Sequence, residues 1–418
     1  MSLAPVLSDQ EISDAYIYLL SRLLVLQQQQ KDFKDGFQWN RPVHREPGQV
    51  AWANPNLDVA YSEAWIAIDE KSYLLLSVPE IAGRYYTVHF LNGWGETVAN
   101  INERAFLERP SGDFAVCLAG ADVKLPSLAR RVDVPSKYLR VLLRVELGSD
   151  WDAAVALQHK FKFEIIGRPE LPERIPQTVM FEPDALPGVE AFESAELALD
   201  SEADINPGME KLQADTRAIA RAVRDTAEGK RIDAVVREKA IPAFRAGLRV
   251  VGHGIRKDGW ALPATSGAYG QDWLTRTYAN YGGIWANTPQ EVIYYKGAAD
   301  SNDEPLDSGH VYTLTFPSEK LPMQYATYFW SVIAVDSVNR RVLVNPLKRY
   351  LLNNQSRLQL SGDGSLTLYF ADDKPIDAPE PNWLPTPKGQ QYNLTLRFYR
   401  PRGEVAARNY FPPPLLKR

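Results

Sequence analysis

The stretch Tyr392-Asn393-Leu394-Thr395-Leu396-Arg397-Phe398-Tyr399 alternates without a break: its even positions hold Tyr, Leu, Leu and Phe, its odd positions Asn, Thr, Arg and Tyr. A period of two sends the two sets to opposite faces of a strand. The reading is a half-buried antiparallel strand with one wet or ligand-facing side. Working outward, residues 311–316, 328–335 and 365–371 repeat the β pattern between loops rich in Asn, Asp, Gly and Pro. Residues 64–68, 73–78, 85–91, 114–118 and 138–147 form a second set, separated by turn formers such as Asn92-Gly93 and Ser111-Gly112. Strands at this spacing predict sandwiches or partly open barrels, not a parallel sheet with helical crossovers.

Elsewhere the period is helical. Ser8 and Glu11 make a capping-box pattern ahead of Ile12, Tyr16, Leu19, Leu20, Leu23 and Leu24, which share one apolar face. Asp150 begins a helix carrying Trp151, Ala154, Val155 and Phe161. Pro169, Pro172, Pro176, Pro183 and Pro187 mark a connector, because each breaks both helix and ladder. Asn206-Pro207 reads as a cap and a first helical proline, with Gly229 closing that helix. Further helices are expected over 233–248 and 272–287. The fold class is therefore mainly β with a helical insert, a multi-domain α+β chain of antiparallel β-sandwiches. Its expected parts are a lead-in at 1–49, a β-rich domain at 50–168, a connector and helical region at 169–270, and a second sandwich with a leading helix at 271–418.

Composition narrows the function classes. The 418 residues are 45% hydrophobic and 24% charged, as in an ordinary globular chain, and long enough for two or three domains. A net charge of −5 argues against a sequence-independent grip on nucleic acid. No apolar run reaches the roughly 18 residues of a membrane helix, so no transmembrane segment is expected. Cys117 is the single cysteine and sits in an apolar, strand-like run, which predicts a buried, inert thiol. The opening Met1-Ser2-Leu3 fits a scar left by removal of a signal peptide, so periplasm and cytoplasm both stay open.

Candidate sites gather on two islands. In the first, Asn54, Asn56 and Asp58 alternate like the start of a calcium loop. However, Val59 stands where that loop needs glycine and Trp65 where it needs glutamate, so an Asx-rich turn is the better reading. Asp58, Tyr61 and His89 are the expected catalytic set, with Arg84, Tyr86 and Trp65 expected to bind ligand. His89 is the acid–base candidate, given a carboxylate or hydroxyl partner, and Asp58 across the sheet is one. Arg84 suits a carboxylate or phosphate clamp, or else an ion pair at a strand edge. The second island, Asn345-Pro346-Leu347-Lys348-Arg349-Tyr350 with Asn382-Trp383-Leu384-Pro385, reads as the closure of the C-terminal sandwich. The histidines show no metal-ligand spacing, and no nucleotide-binding or nucleophile-elbow motif appears, so no metal and no cofactor are expected.

These islands carry a resemblance. Asn54-Pro55-Asn56-x-Asp58-x-x-Tyr61-x-x-Ala64-Trp65, Val78-Pro79 and Gly83-Arg84-Tyr85-Tyr86 make residues 50–105 similar to the domain family of unknown function numbered 1254. Gly283-Ile284-x-Ala286-Asn287, Phe329-Trp330-Ser331, Asn345-Pro346-Leu347-x-Arg349-Tyr350, Asp363-Gly364-Ser365-Leu366, Asn382-Trp383-Leu384-Pro385 and Asn393-Leu394-Thr395-Leu396-Arg397 make residues 270–413 resemble its usual companion, numbered 1214. The resemblance implies a mainly β, two-domain architecture with jelly-roll character in the C-terminal part, a raised prior for the cell envelope, and no established activity. Leu57 and Val59 depart from the polar residue and the Thr common at those sites. Three functions stay open. The chain is an enzyme acting on a small polar or aromatic compound in an aromatic-lined cleft, an envelope module binding a glycan or small ligand, or an assembly protein whose wet strand faces build a homo-oligomer.

Overall fold

The structure, a computed structural model, describes residues 7–50 and 52–418. The Met1-Ser2-Leu3 opening lies outside the described residues. Two β-sandwiches and a group of helices packed beside them make up the fold. The N-terminal sandwich pairs a five-stranded sheet, ordered Val43–His44, Val59–Ala67, Tyr138–Glu146, Tyr86–Leu91, Thr97–Ile101, with a four-stranded one, ordered Arg130–Val134, Gly112–Leu118, Tyr73–Val78, Lys162–Ile166. Ile66, Leu76, Val88, Phe90, Phe114 and Val141 fill the space between them. In the C-terminal sandwich a six-stranded sheet runs Ile255–Lys257, Trp260–Leu262, Val292–Gly297, Tyr392–Tyr399, Trp330–Asp336, Leu351–Asn353. Its partner runs Trp383–Pro385, Leu366–Ala371, Tyr312–Phe316, Leu416–Lys417. Neighbours are antiparallel except Gly112–Leu118 with Arg130–Val134 and Leu366–Ala371 with Trp383–Pro385, which run parallel.

The Tyr392–Tyr399 strand lies between Val292–Gly297 and Trp330–Asp336. Its even side chains, Tyr392, Leu394, Leu396 and Phe398, enter the sandwich core. Its odd side chains face out of that sandwich, toward the five-stranded sheet of the other. Those faces meet along a seam where Val59, Tyr85, Val292, Phe329 and Tyr399 pack together. The odd face is thus occupied within the chain.

The helix Asp9–Lys34 starts with the expected capping box, Ser8 accepting from the Glu11 amide and Glu11 answering to the Ser8 amide. It buries Tyr16, Leu19, Leu20 and Leu23 against Phe192, Ile219, Val236 and Tyr278. The helical middle departs from expectation. Asn206-Pro207 is a loop, where Asn206 hydrogen-bonds Glu96 and Asp204. Helices then run Glu210–Ala222 and Thr226–Val235, the second capped by Asp225, so Gly229 lies inside a helix. That second helix continues through a π turn, Val236–Ala240, into Ile241–Gly247. The wider turn accommodates Pro242, which can neither donate nor tolerate a close carbonyl one turn back. Trp273–Gly283 ends before Asn287, because Trp285 adopts a left-handed φ of 70°. Phe161 falls after the helix Trp151–Gln158, next to a strand. No described helix is long and apolar enough to cross a membrane.

Candidate functional site

A cavity of about 640 Å³ opens along the seam, a volume suited to a small organic molecule. One wall is the outer face of the N-terminal sheet, where register pairs Tyr61 with Arg144, Glu63 with Leu142 and Trp65 with Arg140. The other is the outer face of the C-terminal sheet, where Tyr294 pairs with Arg397 and Lys296 with Thr395. The last turns of Asp9–Lys34, the end of Trp273–Gly283 and the loop bearing Asn54 close the sides. The odd residues Asn393, Thr395, Arg397 and Tyr399 all line it. Aromatic lining comes from Trp52, Tyr61, Tyr278, Trp285, Tyr294 and Tyr399.

The walls carry excess positive charge: eight basic side chains against four acidic ones. At one end charges are matched. Arg140 is held by Glu63 and by Asp32 at 3.3 Å, Arg45 lies 3.6 Å from Glu63, and Trp65 Nε1 donates to Asp32 at 2.8 Å. Burial raises the Asp32 carboxyl, and Arg140 opposes the shift. At the other end they are not. Arg144, Arg340, Arg397 and Lys296 have no carboxylate within ion-pair distance among the described residues. Arg144 donates to His89 Nδ1 at 2.9 Å, to the Trp285 carbonyl at 3.3 Å and to Tyr61 Oη at 3.4 Å. Arg397 donates to the carbonyls of Pro55 and Asn54 at 2.8 and 2.7 Å, and its Nε has no partner among the described residues. The Arg340 guanidinium stacks on Tyr281, 3.9 Å from the ring centre. Lys296 Nζ makes one hydrogen bond, to the Leu248 carbonyl at 3.1 Å. Burial, helped by Arg340, pushes its ammonium down to about 8. Buried cations are ordinarily paired with anions.

The residues singled out from sequence fall in different places. Tyr61 lines the cavity and touches Arg144. His89 is fully buried behind Arg144. Arginine only donates, so His89 Nδ1 accepts from it and the Nε2 proton goes to Thr97 Oγ1 at 2.7 Å. Burial and the Arg144 charge hold His89 well below its ordinary 6.5, so the ring is neutral and positions Arg144. Asp58 is buried but bonds the other sandwich, accepting from Asn353 Nδ2 at 2.7 Å, and does not join His89. Burial raises its carboxyl, against Ser331, Asn353 and Arg397. Trp65 lies one layer behind the wall, on Asp32. Tyr86 packs in the N-terminal core and donates to Pro110. Arg84 donates to the Leu147 carbonyl at 2.8 Å, pinning a strand end rather than meeting the cavity. Asn54, Asn56 and Asp58 form a turn in which Asn56 Oδ1 accepts the Asp58 amide at 2.9 Å, and among the described residues no acidic and histidine cluster suits a metal. Arg144, Arg340 and Lys296 escaped the sequence reading. The available signal was Arg140 and Arg144 at even spacing within the apolar run 138–147.

On the second island, Asn382 donates to the Gln359 and Thr367 carbonyls and accepts the Gln359 amide. Trp383 Nε1 donates to the Ala371 carbonyl at 2.9 Å, and Arg349 lies over its ring. None of these residues lines the cavity.

Fold and site together define a class: two sandwiches closed on a cationic, aromatic-walled cavity. The model of a protein of unknown function, DUF1254, matches residues 39–164, and that of a protein of unknown function, DUF1214, matches 291–403. In that order they span more than half of the chain, and the chain belongs to this two-part family. The crystal structure of the VPA0106 protein from Vibrio parahaemolyticus shares the fold, with a TM-score of 0.60 at 20% identity over 98% of this chain and 99% of that one. A putative uncharacterized protein from Burkholderia cenocepacia is a more distant likeness, with a TM-score of 0.44 at 13% identity over 96% and 86%. No curated protein matches the chain.

Proposed function

We propose that this chain binds a small organic anion, a carboxylate on an aromatic or apolar body, in the cavity between its sandwiches. The observation that carries the reading is the set of buried Arg144, Arg340 and Arg397 with half-buried Lys296, at one end of an aromatic-lined cavity, with no carboxylate within ion-pair distance among the described residues. A buried charge left unpaired costs several kcal/mol, roughly, and an incoming anion relieves it. Tyr61, Trp285, Tyr294 and Tyr399 supply flat apolar surface for the body of the ligand. A neutral glycan would leave the cations unmatched, which ranks the glycan reading lower. The test is thermal denaturation with benzoate and phenylacetate against neutral benzamide. Ligand at about 100 times its Kd stabilises by about 2.7 kcal/mol, so the carboxylates should raise the melting temperature and lose that effect in high salt. Equal stabilisation by benzamide would sink the proposal.

A further inference from the structure

Among the four cations at the unmatched end of the cavity, Lys296 differs in kind. A guanidinium stays charged in a protein, so Arg144, Arg340 and Arg397 can only attract and donate. An amine that gives up its proton becomes a nucleophile. Lys296 is on the strand Val292–Gly297, with its side chain on the cavity wall beside Tyr294 and Thr395. Of its three N–H groups one is used, on the Leu248 carbonyl, and no carboxylate holds the ammonium among the described residues. A site that needed one more anchor for an anion would be better served by a fourth arginine.

We infer that Lys296 forms an imine with the carbonyl group of an oxo acid whose carboxylate is held by the neighbouring arginines. The inference rests on the anion-binding reading above and deepens it by naming the substrate class. The amine lone pair forms the C–N bond as the carbonyl π pair moves to oxygen. A proton then passes from nitrogen to that oxygen, giving a neutral carbinolamine. Loss of the hydroxyl as water requires one further proton and leaves a protonated imine. Tyr294, two residues back on the same face, can give that proton. Its Oη accepts the Asn287 amide at 3.2 Å, and its own proton has no acceptor among the described residues. Burial raises the Tyr294 hydroxyl, so it stays protonated until it is used. The lowered proton affinity of Lys296, to about 8, leaves part of it as free amine near neutral pH.

The experiment uses the full chain, glyoxylate as the smallest anionic aldehyde, and cyanoborohydride to reduce any imine to a stable carboxymethyl amine. Peptide mass mapping then reads each lysine. Lys296 should be labelled at least about ten times faster than exposed lysines, which are mostly protonated until about pH 10. Its rate should level off above about 8, and phenylacetate, a carboxylate without a carbonyl, should protect it. In Lys296→Arg the label should vanish from that peptide while the melting curve stays cooperative. If phenylacetate binds but Lys296 labels no faster than exposed lysines, the imine is overturned and the anion reading survives. If Lys296 is labelled without protection because phenylacetate does not bind, the anion reading falls and the oxo-acid inference falls with it.

Discussion

Arg104 and Arg144 are both buried on the seam between the sandwiches, and their surroundings differ. Arg104 meets Glu291 of the C-terminal sandwich side-on, with Nη2 and Nε at 2.6 and 2.9 Å from its two oxygens. It donates further to the Tyr86 carbonyl, while Tyr85 and Asn102 also donate to Glu291. Arg144 meets a neutral imidazole, a phenol and one carbonyl. The first arrangement is complete and locks two halves together. The second leaves positive charge unanswered at a cavity wall. Burial alone therefore does not separate scaffold from site; the pairing does.

The largest expected effect tests the complete pair. Glu291→Ala removes the acceptor shared by Arg104, Tyr85 and Asn102 and leaves Arg104 only Glu103; it should cost about 3–5 kcal/mol, read by denaturant unfolding. A loss under about 1 kcal/mol, typical of an exposed pair, would remove one side of the comparison. Trp383→Ala should follow, at about 3 kcal/mol, the low end for a large aromatic. That ring is remote from the seam, so phenylacetate binding should persist in the variant; a melting temperature equal to wild type would move Trp383 from scaffold to site. Arg144→Met should behave in the opposite way to Glu291→Ala. The unliganded protein should melt no lower than wild type, since a buried, unpaired cation is gone, while carboxylate binding weakens about tenfold or more, the loss of one charged hydrogen bond. A stability loss above about 2 kcal/mol would make Arg144 a second lock.

The smallest effect is in pH. His89 is depressed in the fold, so below 6.5 the unfolded chain takes up a proton that the folded ring refuses. Stability should then fall as pH drops from 6.5 toward the folded value. Buried Asp58 and Asp32 are raised and act the other way, favouring the fold as pH falls through their folded values. His89→Gln, whose amide oxygen can still accept from Arg144, isolates the imidazole. The variant should gain on wild type below pH 6.5 and track it above. Parallel curves across that range would show that His89 is not held neutral by its burial and the Arg144 charge.

Much of the fold was legible because strand alternation is a local signal. The odd and even residues of 392–399 separated as the period requires, and the Ser8–Glu11 cap lies where its spacing places it. Short strands were harder. Thr97–Ile101, Arg130–Val134 and Lys162–Ile166 are part-exposed edges whose side chains carry little apolar periodicity. The site was legible only in fragments, since its walls come from sheets far apart in sequence. Tyr61 and the Asn54–Asp58 turn stood out by residue type. Nothing local told that Asp58 would turn to Asn353, that Arg84 would pin a carbonyl, or that Lys296 would line the cavity without an acid partner among the described residues.

The strand Tyr392–Tyr399 writes two instructions on alternate letters. Substitutions at Leu394, Leu396 and Phe398 are judged by packing volume, and those at Asn393, Thr395, Arg397 and Tyr399 by what enters the seam. Under the proposed anion binding, recognition would drift within such a lineage while the interior stays fixed, and the reverse. Given the anion binding proposed above, randomising Asn393 and Thr395 alone would make a compact library that varies ligand preference and leaves in place Tyr399, packed on Phe329, and Arg397, bonded to Asn54 and Pro55.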